Sequence, residues 1–402
     1  MVSKLPDDVV EPDGGTIVYL VLDGLGGLPH PETGRTELES ADTPNLDRLA
    51  RRSALGQITP VSPGIAPGSG PGHLALFGYD PVAYNIGRGV LSALGVDFEL
   101  EPGDLAGRLN LCTLDEAGNV TDRRAGRPSD EENARLVARL REAITEVDGV
   151  RVFWESEKEH RVVLILRGEG LSADLTDTDP QETGVPPAPM EGTSEDGNET
   201  ARTVRRVLDR AREVLADEPV ANGVLGRGFA TYERYPSMRE RFGLTPVCIA
   251  RYPMYRGVSR LLGMDIAAPA ETDAGSIEVL AKELETHDFA FVHFKYPDSR
   301  GEDGDFAAKV AAIESVDALV PDVEALEPDV IVVTGDHSTP AGFKAHSWHP
   351  VPVLLASDWC RGSDAEGFGE RWCARGELGT FEAKHLMTLA LAHARRLAKF
   401  GA

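Results

Sequence analysis

The stretch "VIVVTGDHSTPAGFKAHSWHP", residues 330–350, decides how this chain is read. An unbroken apolar run stops at Gly335, and Asp336, His337, His346 and His349 follow within a few positions. A continuous rather than alternating apolar run marks a strand buried on both faces of a parallel sheet. The loop after such a strand lies at the carboxyl edge of the sheet, where rigid scaffolds carry their chemistry. Carboxylate and imidazole together offer oxygen and nitrogen to a borderline divalent cation. Taken alone, Asp336–His337 reads as a solvated turn, so the ligand reading depends on matching groups elsewhere.

Working outward, runs of the same form recur. "TIVYLVLDG" (16–24) ends at Asp23, "FAFVHFKYPD" (289–298) ends at Asp298, and "VPVLLAS" (351–357) adds another strand. In "TPNLDRLARRSA" (43–54), Thr43 is placed to cap a helix with Pro44 at its first position. Residues 380–400 predict a long C-terminal amphipathic helix whose Met and Leu stripe is core. The fold class is α/β, a mostly parallel sheet covered by helices. Residues 105–218 read differently, with hairpin-like strands around "RVFWESEKEHRVVLILRG" and two helices, the first opened by a Ser129–Glu132 capping box. The expected plan is a core from residues 1–104 and 219–402, interrupted by a smaller inserted α+β domain, 105–218. The Pro-, Gly- and acid-rich segment 177–198 is expected to be mobile.

Length and composition fit this plan. The chain has 402 residues, 41% hydrophobic and 27% charged, as in an ordinary soluble protein of about two domains. Its 66 acidic against 41 basic residues give a net charge of −25, which argues against nucleic acid or an anionic membrane as general partner. Four scattered cysteines without a C-x-x-C pair suit a reducing compartment and disfavour a thiolate zinc site. The polar N-terminus is no signal peptide, and a cytoplasmic location is expected.

Two further stretches supply partners for Asp336 and His337. "GIAPGSGPGHLALFGYDP" (64–81) puts Ser69 in a Gly/Pro-rich turn before an apolar helix, where its hydroxyl stands beside backbone N–H groups suited to a phosphoryl group. "FKYPDSRGEDGD" (294–305) supplies Asp298 and Glu302. With "DGLGG", "TELESADTPNLDRLA", "GRGVLSALG", "DRRAGR", "TDTDP", "GDHSTP" and "KAHSWHPVPVLL", these form a long collinear pattern. The chain thereby resembles the cofactor-independent phosphoglycerate mutases, archaeal-type branch, of the alkaline phosphatase superfamily.

The resemblance implies an alkaline-phosphatase-like core and a role for each matching residue. Ser69 matches the serine that receives the phosphoryl group. Asp23, Asp336 and His337 match the ligands of the metal that also binds this serine; Asp298 and His346 match two ligands of a second metal. Two divalent ions are implied, manganese first and magnesium, cobalt or zinc as alternatives. Such ions would activate the serine and share the charge of the transferred group. Glu302 stands where the family has histidine, so its carboxylate completes the second set, His349 supplies a nitrogen, or the second site is weakened or lost. Gly70 and Gln181 also depart, standing for aspartate and histidine. The substrate, a small phosphorylated acid, needs cationic partners; Arg88, Arg124, Arg127, Arg256 and Lys344 are candidates, with Gln181 as a hydrogen-bonding group. The expected reaction interconverts 3-phosphoglycerate and 2-phosphoglycerate through phosphoserine, with the inserted domain closing out water. Alternatives are a phosphatase or mutase of another phosphorylated or phosphonate acid, or a silent homologue. His73 is read as a packed histidine, and His30, His160, His385 and His393 as having no constellation around them.

Overall fold

The run at the end of the chain forms the strand Val330–Thr334, buried throughout. In the computed structural model, which describes residues 9–84 and 86–401, this strand pairs in parallel with Ile17–Leu22. That strand pairs in parallel on its other side with Phe289–Phe294. Val21 lies opposite both His293 and Thr334, so the three strands end level and deliver Asp23, Asp298 and Asp336 to one sheet edge. The full sheet has eight strands, in the order Asp265–Ile266, Pro246–Ile249, Phe289–Phe294, Ile17–Leu22, Val330–Thr334, Val351–Ala356, Ala54–Thr59 and Gly379–Glu382. Direction reverses only at Val351–Ala356, antiparallel to both neighbours. The central strands are buried on both faces, which is why their sequences are apolar without alternation.

Chain from before Ile86 and after Arg234 builds this unit; Ile86–Arg234 builds the second. The boundaries are thus wider than residues 105–218. Strand Gly223–Thr231 pairs along Leu105–Leu114, from Leu105 opposite Thr231 to Cys112 opposite Gly223, and so belongs with it. Helix Arg88–Gly95 belongs there too: at Gly89 a Cβ would meet the Ala106 carbonyl oxygen at 1.9 Å, so only glycine permits the approach. All pairings in this second sheet are antiparallel. Helices Asp130–Ala143 and Glu195–Leu215 cover it through Leu136, Val137 and Leu140 and through Val204, Leu208 and Ala211, residues spaced three or four apart on one helical face.

Three local expectations differ from the structure. Residues 380–400 do not form one helix. Gly379–Glu382 adds a parallel edge strand to Ala54–Thr59, and the helix is only Leu386–His393, stopped where Arg395 turns to φ 56°. Its Leu386, Met387, Ala390 and Leu391 are core, as the stripe implied. Segment 177–198 is pinned rather than loose: Thr178 N–H donates to Gly226 O at 2.8 Å, Ala188 N–H to Thr178 O at 3.0 Å, and Asp179 is ion-paired to Arg123. Finally, Ser129 caps its helix by accepting the Glu132 N–H at 3.3 Å, but the Glu132 carboxylate turns to Arg135 at 2.6 Å, and the reciprocal half of the box is missing.

Candidate active site

The strand ends set the geometry. Asp23 follows Ile17–Leu22, Asp336 follows Gly335, and Asp298 lies in the first turn of helix Tyr296–Asp303. Gly24 makes the turn after Asp23 in the left-handed region (φ 66°), and a Cβ there would meet Thr339 Oγ1 at 2.6 Å. Ser69 opens helix Ser69–Leu76, with Gly68 at the cap position. Its Oγ lies 3.2 Å from His337 Nε2, which also faces Asp336 Oδ2 at 3.1 Å and Asp23 Oδ1 at 3.4 Å.

Two ligand clusters result. Asp23, Asp336 and His337 form one, fully buried; Asp298, His337 and His346 form the other. His337 belongs to both, with its ring stacked on that of His346 at 3.6 Å between centroids. Glu302 is in neither: its Oε1 stands 3.7 Å from His346 Nε2, and its side chain is 54% exposed. His349 is also outside, its Nδ1 hydrogen-bonded to Ser347 Oγ at 3.0 Å and its ring stacked on Trp348. The first cluster fits a divalent cation on physical grounds. Asp23 Oδ1 and Asp336 Oδ2 are buried carboxylate oxygens that no well-aligned hydrogen bond satisfies. His337 Nε2 and His73 Nδ1 face them at 3.1 to 3.4 Å, and two such charges side by side favour a cation between them.

The opposite oxygens are fully engaged. Asp23 Oδ2 accepts from Tyr255 Oη, from His293 Nε2 at 3.1 Å and from Lys295 Nζ at 3.1 Å. The same ammonium donates to Asp298 Oδ2 at 2.6 Å and so joins the two clusters. Thr339 Oγ1 donates to Asp298 Oδ1 at 2.6 Å. Its single proton thus spent, the hydroxyl can only accept from His337 Nδ1, 2.9 Å away, which leaves Nε2 for the carboxylates or a cation. Burial disfavours ionised Asp336, yet His337 and His73 hold its carboxyl well below the usual range. Burial likewise opposes a charged His337, but Asp336 and Asp23 raise its pKa to about 9. The proton that Nε2 then carries is what a divalent ion would replace.

Tyr255, His293, Lys295 and Thr339 were not anticipated. One signal was available: His293 is a lone polar residue in the otherwise apolar strand "FAFVHF", and a buried polar group must have a partner. His73 packs as read, its Nδ1 2.8 Å from Ser69 O and its ring against Tyr255 and Phe291.

A strongly basic cavity lies in the second unit. Arg88, Arg124 and Arg127 line one cavity of about 320 Å³ together with Arg108, Arg123, Arg161, Arg227 and the buried His160, against a single carboxylate, Glu159. Burial and the neighbouring arginines lower the His160 pKa from its ordinary 6.5. Gln181 is not in the lining; its Oε1 accepts from Arg123 Nη2 at 2.8 Å. In the first unit, Arg256 follows Tyr255 on helix Pro253–Leu261, and Lys344 is exposed with its methylene chain over Gly304. His160, which in sequence has no constellation around it, gains one in the fold, where Arg88, Arg108, Arg123, Arg124, Arg127 and Arg227 line the same cavity.

The family described as 2,3-bisphosphoglycerate-independent phosphoglycerate mutase matches residues 50–221. A protein of Thermus thermophilus bearing that description is 53% identical over 96% of both chains. One from Thermotoga maritima is 49% identical over 100% of this chain and 98% of its own. Among solved structures, the cofactor-independent phosphoglycerate mutase of Thermoplasma acidophilum is 30% identical and superposes with a TM-score of 0.78, covering 94% of this chain and 100% of the other. No helix among the described residues is long and apolar enough to cross a membrane.

Proposed function

We infer that this chain, which belongs to the 2,3-bisphosphoglycerate-independent phosphoglycerate mutases, interconverts 3-phosphoglycerate and 2-phosphoglycerate through a phosphoserine at Ser69. The observation that carries the mechanism is the placement of Ser69 Oγ 3.2 Å from His337 Nε2, beside the buried oxygens Asp23 Oδ1 and Asp336 Oδ2. Divalent ions, manganese foremost, held by Asp23, Asp336 and His337 and by Asp298, His337 and His346, would acidify the serine hydroxyl and share phosphoryl charge.

The chain's own residues do the rest. Ser69 accepts the phosphoryl group at the start of its helix, where free backbone N–H groups favour an anion. Tyr255, His293 and Lys295 hold the far oxygen of Asp23, so that Oδ1 keeps its aim. Arg88, Arg124 and Arg127 are assigned to the substrate's phosphate and carboxylate, for which planar guanidinium groups are suited. The bound glycerate turns, and its other hydroxyl takes the phosphoryl group back from Ser69. Keeping water from the phosphoserine is the role assigned to the Ile86–Arg234 unit.

The test is an enolase-coupled assay of metal-stripped protein with 3-phosphoglycerate, adding manganese, magnesium, cobalt and zinc separately. Metal-dependent formation of 2-phosphoglycerate without free phosphate is expected. Stoichiometric phosphate release would instead make the protein a phosphatase.

A further inference from the structure

Behind the acidic site lies a buried cation that the mechanism does not use. Lys309, on helix Phe306–Asp317, has no solvent exposure. Its Nζ donates to three backbone carbonyls: Gly24 O at 2.9 Å, Gly26 O at 3.0 Å and Thr339 O at 2.8 Å. Gly24 and Gly26 belong to the turn that follows Asp23. Thr339 belongs to the loop that begins with Asp336 and His337, and its N–H donates to Gly26 O at 3.0 Å. Its hydroxyl meets both His337 Nδ1 and Asp298 Oδ1, one ligand from each cluster. Burying an ammonium is unfavourable unless each proton is accepted, and here each is. The partners are all carbonyl oxygens, the ligand type that also holds potassium by replacing its water shell. Burial lowers the Lys309 pKa from its ordinary value, and buried Glu37, whose Oε1 accepts the Ala341 N–H at 2.7 Å, is the carboxylate that most opposes this.

We propose that Lys309 is a positioning residue acting as a tethered monovalent cation: its ammonium fills a three-carbonyl cage and thereby locks the Asp23 and Asp336–His337 loops into their metal-binding arrangement. The inference rests on the reading that these loops hold a divalent ion. Removing the side chain at the α-carbon end should leave a cage that a free cation of similar size can fill.

The experiment compares wild type, Lys309→Ala and Lys309→Met in tetramethylammonium chloride and after exchange into potassium, ammonium or methylammonium chloride. Melting temperature and calorimetric manganese affinity are the readouts. For Lys309→Ala in tetramethylammonium we expect manganese affinity reduced by about tenfold or more, the range for groups that orient metal ligands. Potassium or ammonium should restore much of it and raise the melting temperature, while the wild type stays insensitive to the exchange. Lys309→Met fills the cage with an uncharged chain of similar length, so it should lose affinity and regain nothing. Wild-type manganese affinity for Lys309→Ala in tetramethylammonium would overturn the proposal. A defect in affinity or folding that no small cation corrects would overturn it equally. Neither readout depends on turnover, so an inactive wild type would remove the mutase reading while leaving this test intact.

Discussion

The two charged sites of this molecule are built on opposite principles. In the acidic site, Asp23, Asp298 and Asp336 are at most 1% exposed, and two of them leave an oxygen that no well-aligned hydrogen bond satisfies. Tyr255, His293, Lys295 and Thr339 fix the remaining geometry from behind. In the arginine cavity, Arg88, Arg124 and Arg127 are exposed, and together with Arg161 they have no carboxylate within ion-pair distance among the described residues. A divalent cation demands a few oxygens and nitrogens in set positions, so that site needs a rigid support. A phosphorylated acid with several negative oxygens is held well enough by surplus charge on movable forks. Precision is therefore concentrated around the Ser69 hydroxyl, and tolerance is what the arginine cavity would offer the phosphorylated acid proposed to bind there.

The largest effect that could break this contrast is at Ser69. Ser69→Ala should drop turnover to background, a loss of up to about 10⁶-fold as for other removed nucleophiles, with the fold unchanged by circular dichroism. Appreciable residual activity, or a phosphoryl group trapped on another residue by mass spectrometry, would displace Ser69. Next, Asp336→Asn should weaken manganese binding by more than about 100-fold, beyond the range of outer groups, as read by calorimetry. Arg124→Ala and Arg127→Ala should each raise KM about 10- to 100-fold, the value of a charge-assisted hydrogen bond, with kcat little changed. Losses confined to kcat would mean that these arginines serve the transition state and that the tolerance drawn here is wrong.

Smaller effects sharpen the comparison. Glu302→Gln should change manganese affinity by less than about tenfold, since its carboxylate is half-exposed and outside both clusters. A loss as large as that of Asp336→Asn would make it a ligand. The smallest effect concerns His160, which is held neutral by burial among arginines. Its folded pKa lies below the ordinary 6.5, so unfolding takes up a proton as pH falls through and below that value. The His160 contribution to stability should therefore fall on acidification from pH 7 to 5, opposite in sign to that of His337, and His160→Gln should remove that fall from denaturant titrations.

Much of the fold could be read directly because the central strands are buried on both faces. Such strands have no polar register to blur them, so Ile17–Leu22, Phe289–Phe294 and Val330–Thr334 stood out, and their terminal aspartates with them. The supports behind those aspartates were much less visible. Tyr255 and Lys309 reach the site from helices far in sequence from Asp23, and only the fold brings them there. The C-terminal segment misled because its apolar residues suit an edge strand followed by a short buried helix as well as one long amphipathic helix. The domain boundary misled because Gly223–Thr231 pairs with a strand more than a hundred positions earlier, which local pattern cannot register.

The central strand Ile17–Leu22 has a consequence for how the protein is made. Both its hydrogen-bonded neighbours, Phe289–Phe294 and Val330–Thr334, are synthesised well after it and after the whole Ile86–Arg234 segment. The Ile86–Arg234 unit, by contrast, is contiguous and complete long before them. Pairings so distant in sequence form slowly and only after the intervening chain exists. On the ribosome, then, the basic cavity can be finished while Asp23 still has no metal partners beside it. Asp23 gains Asp298, Asp336 and His337 as neighbours only once Phe289–Phe294 and Val330–Thr334 arrive, so in a half-made chain the arginine cavity precedes the acidic site.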